Sequence, residues 1–146
     1  MKKTLLCLVV VLFCVSFTQA QSNQVKKQLV EQMISNGDIR KSCVKEQGGT
    51  LKAINIQLAY LDNDKQPEYV VSGDGSCCVG ARRCATWIYQ KTANGYRKIY
   101  GGADGDQADL EFLKARTKGY RNIRSTTYSG NEAFTAIFKF NGSRYQ

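Results

Sequence analysis

The spacing of apolar positions changes near Leu51. Before it, Val25, Leu29, Val30, Met33 and Ile34 recur three and four residues apart, which gathers them on one helix face between Ser22 and Asn36. Ser22 or Asn23 supplies a starting cap, and Gly37 a stop. Asp38 stands where it would cap a second short helix, with Ile39, Cys43 and Val44 inward and Gly48-Gly49 ending it. After Leu51 the period becomes two. Ile54, Ile56, Leu58 and Tyr60 alternate with Asn55, Gln57 and Ala59, as in a half-buried strand.

Further strands are expected at Glu68–Ser72, Cys84–Lys91, Tyr96–Tyr100, Leu110–Leu113, Arg121–Tyr128 and Ala133–Phe140. Turn residues separate them: Asp62 to Pro67, Ala93-Asn94-Gly95, Thr117-Lys118-Gly119 and Ser129-Gly130-Asn131. Asn141-Gly142 is a hairpin signal that lets Ser143–Gln146 pair back. The pattern predicts an α+β domain, with one or two N-terminal helices packed on an antiparallel, meander-like sheet of about seven short strands.

The N-terminal residues have a different logic. Met1-Lys2-Lys3-Thr4 is short and positive, and Leu5 to Phe17 is apolar apart from Ser16. Thr18-Gln19-Ala20 then offers small residues at the positions a signal peptidase reads. This order is that of a secretory signal peptide over residues 1–20, cleaved after Ala20. The apolar run is shorter than the roughly 20 residues of a membrane span. Lipid attachment at Cys7 or Cys14 is rejected, because Leu6 and Phe13 are not small. The expectation is a single exported domain over residues 21–146, periplasmic or extracellular, with no membrane-spanning segment in the mature chain.

Export changes the reading of the cysteines. Six become four: Cys43, Cys77, Cys78 and Cys84. An even set in an oxidising compartment reads as two disulfides. Pairing the neighbours Cys77 and Cys78 would close a strained ring. The remaining choices tie Cys43 to one of them and Cys84 to the other, with Cys43–Cys77 and Cys78–Cys84 preferred. A zinc site is disfavoured, because the C-x2-C spacing and histidine that such sites use are missing.

Charge and composition narrow the chemistry. The chain has 21 basic and 12 acidic residues, a net of +9, and loss of Lys2 and Lys3 leaves +7. From Lys114 onward there are seven basic residues against one acid, Glu132. Lys118, Arg121, Arg124, Lys139 and Arg144 are the candidate anion-binding or partner-binding residues. Such a surface favours an acidic protein or an envelope polyanion. Export disfavours nucleic acid. The chain has no histidine, which removes Ser-His-Asp and Cys-His catalysis. Paired cysteines leave no thiolate nucleophile.

Two acidic clusters are candidates for calcium, the one cofactor the sequence suggests. Asp104, Asp106 and Asp109 lie in a glycine-rich loop, where oxygen ligands suit a hard cation. Asp106 and Asp109, or either with Glu111, also form a candidate acid–base pair. Asp62, Asp64 and Glu68 lie in the segment Leu58-Ala-Tyr-Leu-Asp-Asn-Asp-Lys-Gln-Pro-Glu-Tyr-Val-Val71. That segment resembles the acidic hairpin D-x-N-x-D-G-x-P-E of secreted bacterial proteins, including the FG-GAP and related propeller families. The resemblance puts Asp62, Asp64 and Glu68 on ligand positions, with Tyr60 where the first Asp belongs and Lys65 on the glycine. The reading from the residues alone is a turn capped by Asp and Asn side chains.

The likeness extends through Gly73-Asp-Gly-Ser-Cys-Cys-Val-Gly80, Cys84-Ala-Thr-Trp-Ile-Tyr89 and Phe138-Lys-Phe-Asn-Gly-Ser-Arg-Tyr145. Taken from about Cys43, this order resembles a diffuse group of small exported bacterial proteins of unknown function. They share the acidic hairpin, a Cys-Gly-rich loop and a closing F-x-F-N-G-x-x-Y hairpin. The resemblance implies a fold and brings no activity. The sequence therefore points to a non-enzymatic exported binding module, of inhibitor or immunity type. The alternatives are a carboxylate-dependent hydrolase assisted by calcium, and a structural component of the envelope.

Overall fold

The change of period near Leu51 marks where helix gives way to sheet in the computed structural model, which describes residues 22–74, 77, 85–101, 108–129 and 131–146. Helix α1 (residues 22–35) buries Leu29, Val30 and Met33 completely. Gly37 ends it at φ +75°, a conformation open to glycine. Its N–H bonds to Ile34 O at 3.1 Å and the Asp38 N–H bonds to Met33 O at 2.8 Å, the paired bonds of a Schellman stop. Helix α2 (Lys41–Glu46) ends the same way, with Gly48 bonded to Lys45 O and Gly49 to Val44 O. Its N-cap is Arg40, which makes no side-chain cap. Asp38 is thus not the expected cap: it is buried and serves another network. A 3₁₀ turn (Thr50–Lys52) leads into the first strand.

Among the described residues seven antiparallel strands follow, in two sheets rather than the single meander expected. The first sheet runs β1 (Ile54–Ala59), β2 (Glu68–Gly73), β3 (Thr86–Thr92) and β4 (Gly95–Gly101) in chain order. The second runs β5 (Asp109–Thr117), β6 (Tyr120–Ser129) and β7 (Glu132–Phe138). The physical reason is that the first sheet is apolar on both faces. Tyr69, Val71, Trp87 and Tyr89 pack against α1 and α2, in one core with Leu29, Met33, Ile39 and Ile54. Val70, Ile88, Ile99 and Tyr100 face the other way and meet Leu110, Phe112, Ile123 and Phe138 of the second sheet. A sheet with two apolar faces needs cover on both, so the chain stacks three layers, helix on sheet on sheet. A bulge assists. The register passes from Ile88↔Tyr100 to Tyr89↔Lys98, which turns both Ile99 and Tyr100 toward the second core.

Cys43 and Cys77 form a disulfide with Cα atoms 4.8 Å apart, which ties α2 to the segment after β2. The expected Cys78–Cys84 pair lies outside the described residues, as do the expected signal peptide, Asp104 and Asp106. Asn141-Gly142 does make a tight reversal. Asn141 Oδ1 accepts the Ser143 and Arg144 amides, and Phe140 bridges to Tyr145. Among the described residues, no helix is long and apolar enough to cross a membrane.

Candidate functional site

The acidic hairpin lies where the two sheets meet. Asp62 Oδ1 accepts the Asp64 amide at 3.0 Å, and Asp64 Oδ1 accepts the Gln66 amide at 2.7 Å. Both are Asx turns, in which the side chain substitutes for a backbone turn. Between β1 and β2 they carry the chain through Lys65, which adopts φ +67°. Glu68 starts β2 opposite Ala59 and is 1% exposed. Its Oε2 accepts the Leu61 amide at 2.9 Å. The Leu61 carbonyl accepts the Arg121 amide at 2.7 Å and Arg116 Nη1 at 2.9 Å. A single residue thus links the Glu68 carboxyl of the first sheet to β5 and β6 of the second.

The surroundings set the electrostatics. Burial raises the Glu68 carboxyl to about 7, with Asp62 and Asp64 adding to the rise against the pull of the Leu61 N–H. Burial alone would raise Asp62 too, but the Asp64 amide, the Tyr120 hydroxyl and Arg116 outweigh it and hold it below the usual range. Burial, then Asp62, pushes the Tyr120 hydroxyl up. Gln90 Nε2 donates to Tyr120 Oη at 2.5 Å, and Arg97 Nη2 donates to Gln90 Oε1 at 2.8 Å. A carboxyl poised near 7 is of the kind that donates protons in catalysis. Glu68 is closed off from solvent, and its position is that of a joint.

The calcium candidates fare unevenly. Asp62 and Asp64 each commit one oxygen to the turn, and buried Glu68 commits one to the Leu61 amide. Asp109 opens β5 and is exposed, beside a groove of about 240 Å³ that Asn55, Gln57, Ser72 and Leu110 also line. Glu111, two residues on, pairs with Arg124. Among the described residues, no three acidic, cysteine or histidine side chains form a group able to hold a metal ion.

The basic candidates separate into two kinds. Arg121 is structural. Its Nε bonds to Leu113 O at 2.9 Å and its Nη2 bonds to Phe112 O. Those carbonyls adjoin a bulge, where β5 shifts register between Phe112 and Arg116. The guanidinium supplies the donors that the interrupted ladder lacks. The other four are exposed. Arg124 meets Glu111 at 2.7 Å on the outer face. Lys118, at φ +50°, donates Nζ to Asn141 O at 2.6 Å. Arg144 lies in that same Asn141 reversal, and Lys139 begins it. Lys118, Lys139 and Arg144 therefore gather at one end of the second sheet.

Two features carried no signal in the sequence. Asp38 accepts hydrogen bonds from the Tyr89 hydroxyl and from Lys98 Nζ beneath the helices. Burial, then Asp38, raises the Tyr89 hydroxyl. A groove of about 560 Å³ runs between α1 and the β3–β4 turn, lined by Gln24, Gln28, Gln32, Lys91 and Tyr96 among others. The Tyr96 hydroxyl is buried without a well-formed hydrogen bond, and burial followed by the nearby Tyr69 pushes it up to about 12.

No family model, curated protein or solved structure matches this chain.

Proposed function

We propose that this chain is an exported, non-enzymatic binding module that engages an acidic protein or an envelope polyanion through its second sheet. The supporting observation is the gathering of Lys118, Lys139 and Arg144 around the Asn141 reversal, with Lys114 exposed on β5 of the same sheet. Charges held by turns and strands need little ordering on binding, and opposite potentials steer an anionic partner to them. The likeness to small exported bacterial proteins with an FG-GAP-like hairpin belongs to this reading. So do the leader over residues 1–20 and an inhibitor or immunity role.

The test is retention on immobilised heparin, a polyanion, compared with the triple reversal K118E/K139E/R144E. The parent is expected to bind and elute with salt, because exposed charges are screened. The triple variant is expected to pass through. A parent that passes through as well would remove the proposal. The hydrolase reading has one observation in its favour, the Glu68 carboxyl near 7. Against it stands the burial of that group at 1% exposure, which leaves a substrate no approach.

A further inference from the structure

We propose that the outer edge of β7 is a strand-docking site, and that it accepts an extended acidic peptide segment of a protein partner. The inference rests on the reading that the second sheet is the binding face, and it names how a protein partner is held there.

Strand order leaves β7 at the edge of its sheet. Residues 132–137 are all exposed, with Phe134 at 54% and Ile137 at 45% on opposite faces. The direction of the free backbone groups follows from two bonds. Arg121 turns its amide away from β5 onto Leu61 O, so the odd-numbered residues of β6 present N–H and C=O toward β7. Ile123 pairs with Phe138, so Phe138 faces β6 and Lys139 faces outward. Lys139 does so: its N–H and C=O both exchange bonds with Gln146 on that side. The alternation runs back without a register shift from Phe138 to Glu132. Ala133, Thr135 and Ile137 thus direct their amides and carbonyls outward, and among the described residues no strand meets them.

Proteins usually guard such an edge with charge, proline or a bulge. The β5 edge has a bulge with Lys114 and Arg116. The β4 edge carries Arg97 and Lys98 and is partly covered, since the Tyr145 amide bonds to Ile99 O. From Ala133 to Phe138, β7 has no charge, no proline and no bulge. It is left ready to extend the sheet, in the lane that Gln146 occupies beside Lys139.

Charge selects the occupant. From Asp109 onward there are seven basic residues and three acids, Asp109, Glu111 and Glu132. A second copy would bring the same positive excess to the edge. An acidic strand brings the opposite sign toward Lys139. Apolar side chains at chosen positions would cover Phe134 on one face and Ile137 on the other, and main-chain bonds would supply affinity.

The test uses the chain purified after export and a blocked, fluorescently labelled peptide that alternates valine with glutamate. Two controls replace glutamate by lysine or place proline at alternate positions. The valine–glutamate peptide is expected to bind, and each control to bind roughly tenfold more weakly or worse. Thr135→Pro removes an outward amide that β6 does not use, and should weaken binding to the same degree with an unchanged circular dichroism spectrum. Should that variant misfold, Ile137→Glu, at an exposed side chain, should give the same loss. Parent-like binding by the folded variants, or equal binding of the proline peptide, overturns the proposal. So does self-association that Thr135→Pro abolishes, which would make the occupant a second copy. If heparin is retained and the acidic peptide is not bound, the docking edge falls and the anion-binding reading stands. If neither binds, both fall.

Discussion

The Glu68 carboxyl accepts the Leu61 amide at 2.9 Å inside the joint between the two sheets. Leu61 turns its carbonyl the other way, to the Arg121 amide at 2.7 Å. A titrating group in the first sheet therefore holds the residue that anchors the second.

This arrangement predicts a pH dependence with a definite sign. The unfolded Glu68 loses its proton near 4.5, and the folded one near 7. Between those values the folded chain retains a proton that the unfolded chain has released, so stability falls as pH rises through the window. It levels off above about 7. The full contribution is about 3 kcal/mol, at about 1.4 kcal/mol per pH unit. Glu68→Gln removes the titration and keeps an oxygen for the Leu61 amide. Thermal melts from pH 4.5 to 8 should show the variant gaining on the parent as pH rises, with the least difference at the acid end. Parallel curves would contradict the assignment.

The two arginines of β6 should separate by mechanism. Arg121→Ala strips the side-chain donors from the Phe112 and Leu113 carbonyls beside the bulge, at a cost of about 1–3 kcal/mol. Arg124→Ala breaks an exposed pair with Glu111, and should cost no more than about 1 kcal/mol. Urea unfolding of both variants checks the ranking. Equal losses would contradict it.

The bond between Cys43 and Cys77 should be structural. Replacing both residues by alanine removes a cross-link spanning 34 positions, with an expected loss of about 2–4 kcal/mol in denaturant unfolding. A loss below about 1 kcal/mol would show that the helical layer is held by packing alone.

Beneath the helices, Asp38→Ala should be costlier than Tyr89→Phe. The first leaves the Tyr89 hydroxyl and Lys98 without their common acceptor, and about 2–3 kcal/mol is expected. The second removes one donor only, at about 1 kcal/mol. Chemical unfolding at neutral pH tests the order, and the reverse order would contradict this account.

Much of the fold was legible because local patterns carry it. The face shared by Leu29, Val30 and Met33, the stops at Gly37 and Gly48, and the strands around Ile54, Glu68 and Tyr96 all follow from spacing and glycine chemistry. The division into two sheets was less visible. It depends on Ile88 and Ile99 facing away from the helices, and the bulge that turns Ile99 has no sequence mark. Asp38 looked like a cap because a helix start rewards an acid nearby, whereas its partners Tyr89 and Lys98 lie far along the chain. Arg121 and Arg124 stand three apart in one strand, so alternation already sends them to opposite faces. The bulge in β5, which gives the Arg121 guanidinium its carbonyl partners, has no sequence mark.

Tyr145 has a consequence for the order in which the protein can assemble. Its amide bonds to Ile99 O of the first sheet, its hydroxyl bonds to Arg121 O of the second, and its ring packs against Tyr100, Tyr120 and Phe140 between them. The contacts reach back to residues as early as Ile99, so they form only after long loops close. A chain synthesised N-terminus first can fold its helices and first sheet before residue 145 is available. The second sheet is latched last, so the helices and first sheet exist for a time without the layer that covers their far side.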